Sequence, residues 1–266
     1  MTTQVEWNAE QYHEVSRPHE AWAARVLDRL PVSGVSTVID AGCGTGKITR
    51  ELLDRLPAAT VYALDTSQSM LIVAERELAP DYCTRVRFLL ADLAQVTPQQ
   101  VGTTADLIFS TATFHWLRDH EALFRRLFDL LVPGGRLIAQ CGGGPNIGAL
   151  RERLSALMRS PQFAPYYQTW TDPWFFATAD DTARRLVSAG YSDVETNVEF
   201  HPTPMGNEHE YRSFVSTVIL RDHLARLPDD AVKTAFVDEL TRFAATDNPP
   251  FELDYWRLNM CATRPI

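Results

Sequence analysis

Lysine is nearly missing from this chain: Lys47 and Lys233 are the only two among 266 residues, and the formal net charge is −9. Binding to phosphate backbones rests on clustered cations, so neither nucleic acid nor an anionic membrane surface is an expected partner. Cysteine is scarce and scattered. Cys43, Cys83, Cys141 and Cys261 form no C-x-x-C pair, which removes a zinc site and a disulfide framework from the expectations. No H-E-x-x-H, EF-hand loop or paired His/Cys spacing occurs, so no metal is expected. No G-x-S-x-G elbow supports serine-hydrolase chemistry. No apolar run approaches the roughly 20 residues that span a bilayer, and residues 1–10 lack the apolar core of a signal peptide. Reduced thiols, no membrane insertion and a cytoplasmic location follow as expectations.

What is present is an ordinary globular balance, 45% hydrophobic and 22% charged, in a length that suits one large α/β domain with a helical insertion. β-Branched runs alternate with helical stripes from Val35 onward. Strands are expected at 35–39, 60–64, 86–90, 107–110 and 136–140. Helices are expected over 48–56, after Ser67, and from Asp119 to the stop at Pro133-Gly134-Gly135. That alternation predicts a doubly wound parallel sheet covered on both faces. After residue 142 the rhythm changes. A helical start (Leu150, Leu154, Leu157) leads into an aromatic cluster at 163–176, then a helix over 178–189 ended by Gly190, a strand at 194–200, helices near 208–226 and 230–244, and a last strand near 255–262. The single domain expected divides into N-terminal lid helices (1–34), a core (35–142), cap insertions (143–190 and 201–250) and final strands (191–200 and 251–266). The late return of a strand predicts an antiparallel edge on a mostly parallel sheet.

The most informative stretch is Asp40-Ala41-Gly42-Cys43-Gly44-Thr45-Gly46, which follows the first strand and opens a helix. Glycines allow tight turns with positive φ and close approach of a ligand to the backbone, and a helix N-terminus offers free N–H groups. The G-x-G-x-x-G dinucleotide motif fails because Lys47 takes the third glycine position. The phosphate-binding G-x-x-x-x-G-K-[ST] loop fails at Ala41 and at Ile48. A D-x-G-x-G-x-G loop remains.

Further candidates stand at the carboxyl ends of the strands. Asp65 ends the second strand, where an acid accepts hydrogen bonds from a ribose diol; a helix-capping role beside Thr66 and Ser67 is the plain alternative. Asp92 ends the third strand, either receiving an exocyclic adenine amine or capping a turn. His115 and Trp116 follow the fourth strand, where ligands bind in such sheets, although a His beside a Trp is commonly a packing residue. Tyr12 and Arg17 precede a helix whose stripe, Trp22, Val26 and Leu30, is core packing. Arg17 has the fork that pairs with carboxylates. The rings Phe163, Tyr166, Tyr167, Trp170, Trp174, Phe175 and Phe176 are dense enough to line an apolar pocket as well as a core.

Together with Leu107-Ile108-Phe109-Ser110, Trp116-Leu117-Arg118-Asp119-His120, Leu131-Val132-Pro133-Gly134-Gly135 and the opening Trp7-Asn8-Ala9-Glu10-Gln11-Tyr12, the loop resembles the class I S-adenosylmethionine-dependent methyltransferases. Within these it resembles the trans-aconitate and juvenile-hormone-acid methyltransferase group. The resemblance covers the first half well and the second in outline. It implies a Rossmann-like fold and S-adenosylmethionine, released as S-adenosylhomocysteine, held by Gly42, Gly44, Gly46, Asp65 and Asp92. Asp40 would meet the methionine amine, directly or through water, and the Tyr12–Arg17 segment would close over the cofactor. Cys43, Thr66, Met70, Leu93 and Thr111 complete the implied cofactor set, with His115 and Trp116 as the implied catalytic pair. His115 departs from the group's pattern, which has glutamine there.

The implied reaction is methyl transfer to a small molecule, with O-methylation of a carboxylate (trans-aconitate-like, or another organic or fatty acid) expected of a monomer or homodimer. A carboxylate is ionised at neutral pH and needs no base, so His115 would orient it. A phenol, alcohol or carbon acceptor would call on His115 as base. A non-catalytic S-adenosylmethionine-binding protein and a nicotinamide oxidoreductase are the other readings, the latter weakened by Lys47.

Overall fold

The glycine loop's neighbours in sequence become its neighbours in space through a parallel sheet. The computed structural model describes residues 7–15, 17–31 and 33–266; the side chains of 15 and 17–21 lie outside that description. The elements in chain order are α1 (Ala9–Val15), α2 (Arg17–Leu27), β1 (Thr37–Ala41), α3 (Lys47–Arg55), β2 (Thr60–Asp65), α4 (Gln68–Tyr82), β3 (Val86–Leu90), α5 (Pro98–Val101), β4 (Ala105–Thr111), α6 (His120–Leu130) and β5 (Leu131–Gly142). They continue with α7 (Gly148–Met158), α8 (Ala179–Ser188), β6 (Ser192–Phe200), β7 (Thr203–Pro204), α9 (Glu208–Phe214), α10 (Arg221–Leu224), α11 (Asp230–Ala244), β8 (Glu252–Leu253) and β9 (Trp256–Thr263).

The chain forms two compact units rather than one body with a continuous cap. The first holds residues 17–144, 174–199 and 257–266, and the second α1 with 145–173 and 200–256. The expected cap of 143–190 therefore divides after residue 173, and 174–190 belong with the sheet.

In the first unit a seven-stranded sheet runs β3-β2-β1-β4-β5-β9-β6. β1 to β5 are mutually parallel, and β9 is antiparallel to β5. The antiparallel strand is thus one place in from the edge, which β6 forms. Leu107, Ile108 and Phe109 are all fully buried, as expected when helices cover both faces. One face packs Leu107 and Phe109 against Val26 of α2, Leu52 of α3 and Leu78 of α4. The other packs Ile108 against Leu123 and Leu127 of α6 and Leu186 of α8.

Local chemistry sets the element ends. Ser67 caps α4 by accepting from the Met70 amide at 3.2 Å, and Asp119 caps α6 by accepting from Ala122 at 2.9 Å. Gly190 follows α8 at φ 105°. The Pro133-Gly134-Gly135 stop lies within the span of β5, where the chain bulges: Ala105 pairs with Leu131 and Leu107 with Arg136.

In the second unit the expected helix over 208–226 is interrupted by a π-helical turn, Val215–Ile219, between α9 and α10. Its core contains Phe163, Tyr211, Phe214 and Phe236, and Phe163 meets Phe236 edge-on at 5.0 Å. Tyr167 donates to the His223 carbonyl at 2.9 Å, and Trp170 packs on the His223 ring at 4.3 Å. Burial pushes His223 down to about 4, which makes it a neutral core residue. A two-residue antiparallel pair, β7 with β8, was not expected from the sequence.

Candidate active site

The strand order reverses between β1 and β4, and ligands of open α/β sheets bind outside the carboxyl ends at such a switch point. The Gly42–Gly46 loop leaves β1 there and Thr113 follows β4. Ser110 joins the two strand ends, donating to the Ala41 carbonyl at 2.6 Å.

The three glycines are required for different reasons. Gly42, at φ 87°, lies so close to Thr113 that a Cβ would fall 2.2 Å from its Oγ1. Gly46, at φ 84°, lets α3 approach α4: a Cβ there would meet Leu78 at 2.8 Å. The absence of a side chain at Gly46 thus serves the packing of the two helices. Gly44, at φ 55°, has no protein atom within 4 Å of where a Cβ would be. Its amide donates to Asp65 Oδ2 at 2.9 Å. The other oxygen of Asp65 accepts from the Ser67 amide at 2.9 Å, so the ribose-type acid and the glycine loop are braced together.

Asp40 is 2% exposed, and its Oδ2 accepts from the Thr49 hydroxyl at 2.7 Å. Burial raises it to about 7, against the lowering effect of Thr49, with a further push upward from Asp65. A buried carboxyl held near neutrality is a seat for a cation, and an open glycine cradle braced by Asp65 suits a nucleoside. The site's donors and acceptors therefore fit S-adenosylmethionine, which carries both. Cys43 is buried, and burial, then Asp65, holds its thiol well above its ordinary range.

The remaining candidates are spread more widely. Thr66 is exposed, while Met70 and Leu93 are buried; Leu93 belongs to the core cluster. Asp92 is exposed, and its oxygens accept from the Ala94 amide at 2.9 Å and the Gln95 side chain at 3.0 Å, the turn-capping role. Thr111 is half-buried, and its carbonyl accepts from Thr113 at 2.9 Å. Tyr12 lies in α1, in the second unit, with its ring edge-on to Trp7 at 5.3 Å. The Arg17 side chain lies outside the described residues.

His115 and Trp116 sit in a short 3₁₀ turn, Phe114–Trp116, pinned from below by His120. His120 is 1% exposed, its Nε2 donates to the Phe114 carbonyl at 2.9 Å, and burial lowers its pKa. The Gly142 amide donates to His115 Nδ1 at 3.3 Å. A backbone N–H only donates, so Nδ1 is an acceptor and the neutral ring carries its proton on Nε2.

Sequence reasoning missed one polar cluster. Gln140 of β5 donates to Asn259 Oδ1 at 2.7 Å and accepts from Arg257 Nε at 3.2 Å. The Arg257 guanidinium lies 4.3 Å over the Trp22 ring, and all three polar residues are buried at the carboxyl edge. The β9 residues stand more than a hundred positions from Gln140, and no local pattern pairs them.

Comparison with known proteins agrees with this geometry. A family model described as a methyltransferase domain matches residues 38–135. Trans-aconitate 2-methyltransferase of Methylobacterium radiotolerans is 36% identical over 71% of this chain and 67% of its own length. The enzyme of that name from Delftia acidovorans is 35% identical over 61% of this chain. The chain spans 58% of the length of the Delftia relative and 48% of one from Deinococcus radiodurans. In fold it is similar to Haemonchus contortus phosphoethanolamine N-methyltransferase 2 in complex with S-adenosyl-L-methionine (TM-score 0.61, 17% identity, 97% of this chain and 57% of that one). It is also similar to the cyclopropane synthase MmaA2 of Mycobacterium tuberculosis (TM-score 0.57, 17% identity, 91% and 83%). The chain belongs to the class I S-adenosylmethionine-dependent methyltransferases, and S-adenosylmethionine is the cofactor of that family. Among the described residues, no helix is long and apolar enough to cross a membrane, and no group of three or more His, Cys, Asp or Glu is placed to hold a metal.

Proposed function

We propose that the protein methylates a carboxylate oxygen of a small organic acid, using S-adenosylmethionine. The observation that carries this reading is the hydrogen bond from the Gly142 amide to His115 Nδ1. With Nδ1 accepting, the neutral imidazole carries its proton on Nε2, a tautomer suited to orienting an oxygen and unsuited to removing a proton. A carboxylic acid has already lost its proton at neutral pH, so a donor is what the acceptor requires.

S-adenosylmethionine supplies, when bound, a methyl group on a sulfonium; the carboxylate forms the new O–C bond, the S–C bond breaks, and its electron pair stays on sulfur. The protein's share is placement and exclusion of water. Gly42, Cys43, Gly44 and Gly46 with Thr111 would hold the cofactor's middle, Asp65 and Thr66 its ribose, and Met70, Asp92 and Leu93 its adenine. Asp40 would meet the amine. The trans-aconitate enzymes among its relatives support an acid as acceptor.

His115→Gln tests the role. Glutamine keeps an N–H donor, so the variant should retain kcat within about tenfold, with a pH profile unchanged between pH 6.5 and 9. A general base contributes roughly 10²–10⁴-fold. A loss of that size, or loss of a basic limb from the wild-type profile, sinks the orienting role and favours a phenol or alcohol acceptor with His115 as base.

A further inference from the structure

The buried polar cluster of β5 and β9 has a direction built into it. A guanidinium only donates, so the Gln140 atom that Arg257 Nε meets at 3.2 Å is the amide oxygen. The Gln140 nitrogen is thereby turned to donate to Asn259 Oδ1 at 2.7 Å. With its oxygen engaged, Asn259 ends the cluster on a donor, Nδ2. Among the described residues nothing accepts from that atom, although Asn259 is only 4% exposed. Buried donors are rarely left unmatched, because the hydrogen bond lost with water is then not replaced. The cluster thus ends on a group set to donate to an oxygen from outside the chain.

Cross-strand register places that donor beside the site. Thr111 of β4 pairs with Gln140 of β5, and Gln140 with Asn259 of β9. Partners in register share a face of the sheet. It is the face on which Phe109, Ile138 and Cys261, two positions away along each strand, pack toward α2 and α3. Thr111, Ala112 and Thr113 are half-buried, so the row runs from accessible surface at the switch point to the buried amide. Gly142, whose amide holds His115 Nδ1, is the register partner of Arg257. All of these residues belong to the sheet unit.

We infer, resting on the carboxylate reading proposed above, that Asn259 Nδ2 binds the acceptor acid's carboxylate, with Arg257 supplying the positive field and Gln140 fixing the direction of the amide. Methyl transfer from S-adenosylmethionine to an acid involves a sulfonium, an ammonium and carboxylates. A guanidinium beside an amide donor repels the first two and attracts the last. The cofactor's own carboxylate is out of reach. Asp40, which would take its amine, stands on β1, three strands from β9, or roughly 14 Å across the sheet, whereas that amine and carboxylate share one carbon. Asn259 would touch the substrate; Gln140 is a positioning residue.

The test titrates trans-aconitate, trans-cinnamate and decanoate into the full chain saturated with S-adenosylhomocysteine, and follows their methylation and that of 2-naphthol. Asn259→Asp keeps an oxygen to accept from Gln140 and puts a second oxygen where the donor stood, with Arg257 near to balance its charge. It should fold, weaken the acid that the parent binds by about thirtyfold or more, and leave the affinity for S-adenosylmethionine within about twofold. Gln140→Glu still accepts from Arg257 but cannot donate to Asn259, so the amide turns over and the acid is lost in the same way. Thermal melting shows that each variant folds; where Asn259→Asp does not, Gln140→Glu decides. An acid bound equally well by parent and folded variants overturns the subsite, which then holds an ordered water only, and leaves the carboxylate reading standing. Weakened S-adenosylmethionine with unchanged decarboxylated S-adenosylmethionine and unchanged acid gives the amide to the cofactor's carboxylate and overturns the acceptor assignment. Methylation of 2-naphthol with no acid bound or methylated by the parent overturns the carboxylate reading, and the subsite with it.

Discussion

Gly44→Ala should leave the chain folded and remove most of its affinity for S-adenosylmethionine. The two effects separate because a Cβ at Gly44 meets no protein atom within 4 Å. Its stability cost is the strain of an L-residue at φ 55°, about 1–2 kcal/mol, or a few degrees in Tm for a chain of this size. The space it fills is the space a nucleoside needs against the backbone. A loss of about a hundredfold in affinity, close to 2.7 kcal/mol, is expected by calorimetric titration. Gly42→Ala should behave differently. Its Cβ would lie 2.2 Å from Thr113 Oγ1 and 2.3 Å from Cγ2, so stability and binding fall together. Trimming Thr113 to alanine in the same chain removes the two nearest atoms and should recover part of the Tm. If Gly44→Ala binds S-adenosylmethionine as the parent does, the loop is not the cradle.

Asp40→Asn should stabilise the cofactor-free protein at pH 8, have almost no effect at pH 4, and weaken cofactor binding. Burial raises the folded pKa of Asp40 to about 7 from an ordinary 3.8. Below 3.8 the carboxyl is protonated in both states, and its full contribution to stability is present. As pH rises from 3.8 toward 7 the unfolded chain releases the proton first, and that contribution is lost through the folded pKa. The gap corresponds to about 4 kcal/mol, an upper figure because the buried site relaxes when charged. Asparagine has nothing to ionise, and its carbonyl oxygen can still accept from Thr49. Urea unfolding at pH 4, 6 and 8 checks the sign. Calorimetry should show the parent's affinity for S-adenosylmethionine rising with pH through about 7, as the acid becomes able to pair with the amine, and the variant's staying flat. A variant that is less stable than the parent at pH 8 contradicts the assignment.

The sheet was legible because its signals are local. Val35–Ile39, Thr60–Leu64 and Leu107–Ser110 are short runs rich in β-branched and apolar residues, and Ser67, Asp119 and Gly190 mark helix ends by their own chemistry. The loop at 42–46 was legible as a glycine turn, but not what lies against each glycine: Gly46 packs against Leu78 and Gly42 against Thr113, and both partners depend on tertiary packing. The division of the aromatic cluster was illegible for a similar reason. Trp170 and Trp174 are four residues apart, yet one packs on His223 and the other on Trp116. The orientation of His115 depends on the Gly142 amide, 27 residues away, and the Arg257–Gln140–Asn259 cluster on cross-strand register. The π-helical turn at 215–219 leaves no mark in the hydrophobic pattern.

The most direct test of carboxyl methylation follows the methyl group itself. S-adenosylmethionine labelled in its methyl carbon is incubated with the protein and a panel of aryl, alkenyl, alkyl and polycarboxylic acids, and the products are treated with mild alkali. The account predicts label transferred to an acid and released as methanol, the signature of a methyl ester. Label that stays on S-adenosylmethionine with every acid, or that moves to an alkali-stable product, would contradict it.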